Sequence, residues 1–171
     1  QAIMQAMQAV LSPRDEVVVP VPAWPNLLEI VNILGGKVVP VPYATSQGEG
    51  FLLDLDELFA KVTDRTKVIA INSPSNPTGW IMPREDMIRL RDFARERGIW
   101  IVSDEVYAHF TFEGGIATSF LEITEPTDRL LITNTFSKNW CMTGWRMGWT
   151  IFPRGLSVLF DNLSQYNTTS V

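Results

Sequence analysis

Short apolar runs, several of them β-branched, alternate with amphipathic stretches from one end of this chain to the other, and that alternation leaves few architectures open. Residues 16–21, 37–41, 67–71, 99–102, 130–133 and 147–152 read as strands. Between them lie helical patterns. The first 11 residues place Ile3, Met7, Val10 and Leu11 on one side. Pro25 opens a second helix with Leu27, Leu28, Val31 and Leu34 as its stripe, and Gly35-Gly36 closes it. Asp54 reads as an N-cap, and Glu57 three residues on completes a capping box for a helix packed through Leu55, Leu58, Phe59 and Val62. Pro83 introduces an arginine-rich helix that buries Met87, Leu90 and Ala94 and stops at Gly98, and a last helix carries Leu156, Leu159, Phe160 and Leu163.

Strands that alternate with amphipathic helices form layered α/β domains. Several of these strands are apolar on both faces, so helices must cover both sides of a mostly parallel sheet. Pro40 and Pro42 favour an edge position for the second strand, and Pro20 is expected at the end of the first, since proline cannot donate to a central ladder. The few residues between Lys138 and the sixth strand leave no room for a crossover helix, so that strand is expected to run against the others. The expected fold is therefore α/β, a three-layer sandwich with a mostly parallel sheet and one antiparallel strand.

Composition narrows the function. A formal charge of -5 over 171 residues, with no stripe or tail of Lys and Arg, excludes a nucleic-acid partner. Arg84, Arg89, Arg91, Arg95 and Arg97 are interleaved with Glu85, Asp86, Asp92 and Glu96 and read as a solvated helix face. No apolar run approaches the ~18 residues needed to cross a bilayer, and no signal peptide opens the chain. The single Cys141 rules out an internal disulfide framework and fits a reducing compartment. Cys141 is expected to be packed among apolar neighbours. The sole histidine, His109, has no ligand cluster around it, so no metal site is expected. Trp80, Trp100, Trp140, Trp145 and Trp149 read as core or interface material.

The unusual residues collect where strands end, which is where ligands bind in open α/β sheets. Asn72-Ser73-Pro74-Ser75-Asn76-Pro77-Thr78-Gly79 follows the third strand; taken alone it is a turn, yet it fixes Asn76 rigidly with donors and an acceptor. The fourth strand runs into Ser103-Asp104-Glu105-Val106-Tyr107, and a carboxylate emerging from a buried strand is costly unless a cation meets it. Asp104 could equally cap a helix. The fifth runs into Thr135-Phe136-Ser137-Lys138, with Arg146 following inside Met142-Thr143-Gly144-Trp145-Arg146-Met147-Gly148. A lysine can form a Schiff base with an aldehyde, and an arginine fork can grip a phosphate, with the hydroxyls of Thr135 and Ser137 nearby.

Together, Asn-Pro-Thr-Gly, Ser-Asp-Glu-x-Tyr and Ser-Lys with a trailing Gly-x-Arg-x-Gly make the chain resemble the fold-type I pyridoxal-phosphate aminotransferases of classes I and II, over nearly all its length. The resemblance implies the large-domain fold of those enzymes. It implies that Lys138 holds pyridoxal 5'-phosphate as a Schiff base and moves the substrate's proton, and that Asp104 pairs with the ring nitrogen. Tyr107 and Asn76 would bond the phenolic oxygen. Arg146 would bind the phosphate with Thr135 and, more loosely, Ser137, and Trp24 would stack on the ring, although Trp24 could instead be an interface or core indole. The reaction implied is amino-group transfer between an amino acid and a 2-oxo acid by a cytoplasmic homodimer.

The same resemblance makes 1–171 an incomplete large domain. The family's glycine-containing phosphate loop is expected before Gln1, and most of the small domain, with the arginine for the substrate carboxylate, lies elsewhere. Such a piece is expected to bind cofactor poorly and turn over little. Two other classes stay open: a pyridoxal-phosphate β-lyase or decarboxylase, and the aminotransferase-like sensor domain of a transcription regulator.

Overall fold

The structure is a computed structural model that describes residues 1–46, 50–112 and 114–167. Its centre is a six-stranded sheet of β1 (Glu16–Val21), β2 (Lys37–Pro42), β5 (Thr66–Asn72), β6 (Trp100–Asp104), β7 (Leu130–Thr135) and β8 (Gly148–Ile151). The strand order is β2-β1-β5-β6-β7-β8. All neighbours pair in parallel except β7 and β8, which are antiparallel, as the short connection demands. β2 takes the edge expected of a strand with two prolines. Pro20 lies inside β1 rather than at its end, paired with Val41 of β2. It is tolerated there because the β1–β5 ladder has already stopped at Val18–Ile69, so beyond that point a missing N–H leaves no central bond unmade.

Side-chain alternation along these strands builds two cores. Val18, Ile69, Ile71, Ile101 and Ile132 face one side and pack with Leu55 and Leu58 of α3 (Leu55–Ala60) and with Met87, Leu90 and Ala94 of α4 (Arg84–Arg97). Val17, Val19, Val68, Ala70, Val102 and Leu131 face the other. There they meet Ile3, Ala6, Met7 and Val10 of α1 (Ala2–Val10), Leu27, Ile30 and Val31 of α2 (Pro25–Ile33), and Phe160 of α6 (Ser157–Asn167). Three layers with a sheet in the middle result, as the patterning requires. A fully buried Leu or Val of this kind contributes about 1.5–3 kcal/mol.

Local signals act as the sequence indicates in most places. Gly98 ends α4 in the left-handed region at φ 63°, and charges of α4 pair along the helix, as Arg89 with Asp86 at 3.6 Å, and across to α3, as Arg89 with Asp56 at 2.7 Å. Asp54 accepts from the amides of Asp56 and Glu57, half of the expected capping box; both halves of a box are made instead by Ser119 and Glu122 around a 3-10 turn at Phe120–Glu122. Unanticipated elements are a hairpin of β3 (Ala44–Ser46) and β4 (Gly50–Leu52), and the one-turn helix α5 (Phe136–Asn139). Cys141 is not packed: it is exposed and sits at φ 55°, because the chain turns sharply out of α5 there. The polar end of the chain beyond Asn167 lies outside the described residues. Among those described, no helix is long and apolar enough to cross a membrane.

Candidate active site

Strand direction explains why eight separated residues gather at one edge of the sheet. Parallel strands present their carboxyl ends there, and β8, running the other way, begins there. Trp24 follows β1, Asn76 follows β5, Asp104 ends β6 with Tyr107 three residues on, Thr135 ends β7, and Ser137 and Lys138 occupy α5. Arg146 lies two residues before β8. Register fixes this alignment: Asn72 pairs with Asp104, Asp104 with Thr133, and Thr135 with Gly148.

At the floor, Asp104 is almost fully buried and accepts from the Thr133 hydroxyl at 3.2 Å and from the Val106 amide. Desolvation pushes its pKa up to about 6, and the neighbouring Glu105 charge adds to the rise. No ion pair reaches Asp104 among the described residues. Asn72, also buried, donates to the Asp104 carbonyl at 3.0 Å and accepts from the Asn76 amide at 2.7 Å, so it ties the Asn76 loop to the end of β6.

On the other flank, Lys138 is exposed, and its Nζ lies 5.9 Å from the centroid of the Tyr107 ring. A four-residue helix cannot hold itself together, so α5 depends on its supports. Thr135 caps it by accepting from Ser137 N at 3.1 Å, and donates to the Met147 carbonyl at 3.0 Å, which joins α5 to the segment carrying Arg146. Asn139 donates to Asn134 Oδ1 and accepts from His109 N, both at 3.3 Å, so it links α5 to the Tyr107 segment. The rings of Phe136, Trp140 and Trp149 lie 5.0 to 6.1 Å apart, and His109 sits 5.2 Å from Trp140. Gly148 is required at the head of β8, because a Cβ there would stand 2.6 Å from the Asn134 carbonyl oxygen.

Arg146, exposed and left-handed at φ 53°, donates to the Thr143 carbonyl at 2.9 Å. Trp24 is 36% exposed at the start of α2, so it is not a core indole. A cavity of about 510 Å³ opens beside Asn76 and Tyr107, walled by Pro74, Pro77, Phe110 and Phe112.

A family model described as aminotransferase class I and II matches residues 1–169 of this 171-residue chain. The chain belongs to that family. It is 36% identical to an aspartate aminotransferase of Streptomyces avermitilis, over 100% of this chain and 42% of that protein. The solved aspartate aminotransferase of Thermus thermophilus with maleate superposes with a TM-score of 0.89 at 36% identity, covering 99% of this chain and 43% of the other. The N-succinyldiaminopimelate aminotransferase of Mycobacterium tuberculosis superposes at 0.91 with 29% identity, over 99% and 44% of the two chains. The chain thus spans a little under half the length of these aminotransferases.

Sequence reasoning missed the supports of this aminotransferase edge. Asn72, Thr133 and Asn134 bond the expected site residues directly, and Asn139 acts one step away, through Asn134 and His109. Thr133 and Asn134 could have been suspected as polar residues ending an apolar strand. Asn139 could not, because its partner His109 N is 30 residues away.

Proposed function

We propose that the protein containing these residues transfers amino groups between an amino acid and a 2-oxo acid, using pyridoxal 5'-phosphate bound at the carboxyl edge of the sheet. The observation that carries this reading is Asp104. A carboxyl held out of water, with a raised pKa and no cation of its own, is a costly feature in a plain core and a suitable partner for a protonated ring nitrogen.

The donor set fits the rest of that group. Lys138 would hold it through Nζ, Tyr107 and Asn76 would bond its phenolic oxygen, and Trp24 would lie against its flat face. Arg146 would take the phosphate in its planar fork, assisted by Thr135 and Ser137. When bound, the cofactor supplies an electron sink for charge developing at the substrate's α-carbon. Asp104 would keep that sink effective as the anionic partner of the ring nitrogen. Nζ of Lys138 would take the proton from the substrate's α-carbon as base and deliver it as acid to the cofactor's C4' carbon. Tyr107, whose ring centroid lies 5.9 Å from Nζ, would stand beside that atom. Residues 1–171 are, in this reading, an incomplete large domain of a cytoplasmic homodimer. The identity with aminotransferases across the chain and the exposed apolar side chains Trp145, Met147 and Val158 support it.

Borohydride reduction of the cofactor-loaded full-length protein is expected to leave one label, on Lys138. A label on another residue overturns the assignment. Keto acid formed in step with consumption of an oxo-acid acceptor is the expected product pattern; release of ammonia or carbon dioxide instead would assign the core to lyase or decarboxylase chemistry.

A further inference from the structure

Tyr107 lies on an excursion between β6 and the buried Phe120, of which residues 106–112 and 114–119 are described. A loop of this length holds a side chain in place only if both ends are fixed. One end is fixed by the sheet, since the Glu105 amide donates to the Thr133 carbonyl at 2.9 Å and Ala108 N to the Glu105 carbonyl at 3.1 Å. The other end is fixed by the Glu105 side chain. Its Oε1 accepts from Phe120 N at 3.1 Å and from the Ser103 hydroxyl at 3.0 Å, and the Ser119 hydroxyl also bonds the carboxylate. Midway, Ala117 N donates to the Ala108 carbonyl at 2.8 Å.

Asp104 ends β6 and Glu105 follows it with its amide still bonded to Thr133, so their side chains face opposite sides of the sheet. Asp104 shares its side with Thr133, while Glu105 shares the other with Ser103 and Phe120. Glu105 therefore does not line the site. A buried carboxylate in an otherwise apolar core is expensive, and burial does hold its pKa above the ordinary value. An apolar residue would fill the same space at lower cost but could not reach across to a backbone amide 15 residues away.

We propose that Glu105 is a positioning residue of the transfer reaction, clamping the excursion 106–119 so that Tyr107 stays beside Lys138 Nζ and the cofactor's phenolic oxygen. The inference rests on the function proposed above. It assigns work to a carboxylate that touches neither cofactor nor substrate.

The test uses the full-length protein loaded with pyridoxal phosphate, carrying Glu105→Ala or Glu105→Gln, each with and without Tyr107→Phe. Three quantities are read: the pH titration of the bound cofactor's absorbance, kcat/KM, and the rate of protease cleavage within 106–119. Glu105→Ala is expected to displace the titration midpoint in the same direction as Tyr107→Phe, to speed cleavage, and to lower kcat/KM by about tenfold. Adding Tyr107→Phe to Glu105→Ala should cost less than about threefold more, since the two act through one interaction. Glu105→Gln keeps an oxygen for Ser103 and Phe120 and should stay within about threefold of the unchanged protein. If Glu105→Ala does not fold, Ser119→Ala, which removes one bond of the clamp, should give a smaller displacement in the same direction. A titration unmoved by these variants, or effects of Glu105→Ala and Tyr107→Phe that multiply in full, overturns the proposal. Failure of the borohydride label on Lys138 in the unchanged protein overturns instead the function beneath it, and the cleavage rate still reports on the clamp.

Discussion

The two ends of the sheet treat charge in opposite ways. At the amino end, a cavity of about 220 Å³ is lined by Arg91, Arg95, Asp128 and Arg129, and its carboxylate is paired with a guanidinium. Arg95 grips Asp128 with two bonds of 2.6 and 2.7 Å, and this contact holds the Asp128 carboxyl below its usual range. At the carboxyl end, Asp104 and Glu105 are buried with no ion pair among the described residues, and desolvation raises both. The amino end closes the fold; the carboxyl end keeps an electrostatic demand that the protein leaves for something else to meet. Local instability at one edge, set against tight pairing at the other, is the signature expected of a site rather than of a scaffold.

The sharpest way to break that contrast is to neutralise Asp104. Because its folded pKa of about 6 lies above the ordinary 3.8, protonation favours the folded state. Its favourable contribution is complete below the ordinary value and is lost as pH rises through about 6. A shift of that size corresponds to at most about 3 kcal/mol. Asp104→Asn should therefore make the cofactor-free protein more stable than the unchanged one at pH 8, by roughly 1–3 kcal/mol, and no more stable at pH 4, in urea melts at the two pH values. The same substitution should lower transfer by on the order of 10²-fold or more, measured as kcat/KM. Loss of stability at pH 8 would show that the burial of Asp104 carries no strain.

Backbone geometry separates the ends again. Gly148 and Gly98 both lie beside neighbours that a methyl group would crowd. At Gly148 the obstacle is the Asn134 carbonyl at 2.6 Å, fixed in the β7–β8 ladder; at Gly98 it is the end of the Arg129 side chain at 3.0 Å, which can move. Gly148→Ala should cost about 1–3 kcal/mol and, by shifting Thr135, weaken cofactor binding. Gly98→Ala meets only the left-handed penalty of about 1 kcal/mol, with cofactor affinity unchanged. Denaturation midpoints and cofactor titration of the two variants check this, and equal losses of affinity would erase the distinction.

Sequence pattern made the scaffold legible because each strand and helix advertises itself within ten or fifteen residues. Val17 to Val19, Val68 to Ile71 and the Pro83-to-Gly98 helix needed nothing from elsewhere. The placement of the expected site residues was legible for a related reason: strand ends in such a sheet share an edge, so Asn76, Asp104, Lys138 and Arg146 fall along one edge once the direction of β8 is inferred. What escaped were contacts that depend on two distant segments. The Asn139 bridge to His109 and the clamp from Glu105 to Phe120 carry no local signature. Helix α5 escaped too, since four residues leave no period to detect, and Cys141 was misplaced because its apolar neighbours gave no hint of the outward turn that follows α5.

The smallest effect lies at the amino end, and its smallness is what the contrast requires. Asp128 has a lowered pKa because Arg95 holds its charged form, so its contribution to folding is present above the ordinary value of 3.8 and is lost as pH falls through the lowered one. The Arg95 side chain is 40% exposed, however, and solvent screens such a pair. Asp128→Asn should cost about 0.2–1 kcal/mol at pH 7 in low salt, less at high salt, and less again as the pH falls below the ordinary carboxylate range. Transfer should be unchanged, since the residue sits at the opposite end of β7 from Lys138. Urea melts across pH and salt, with kcat/KM measured alongside, check the assignment. A loss above about 3 kcal/mol would mean that the amino end, too, depends on a desolvated charge, and the division of labour between the two edges would no longer hold.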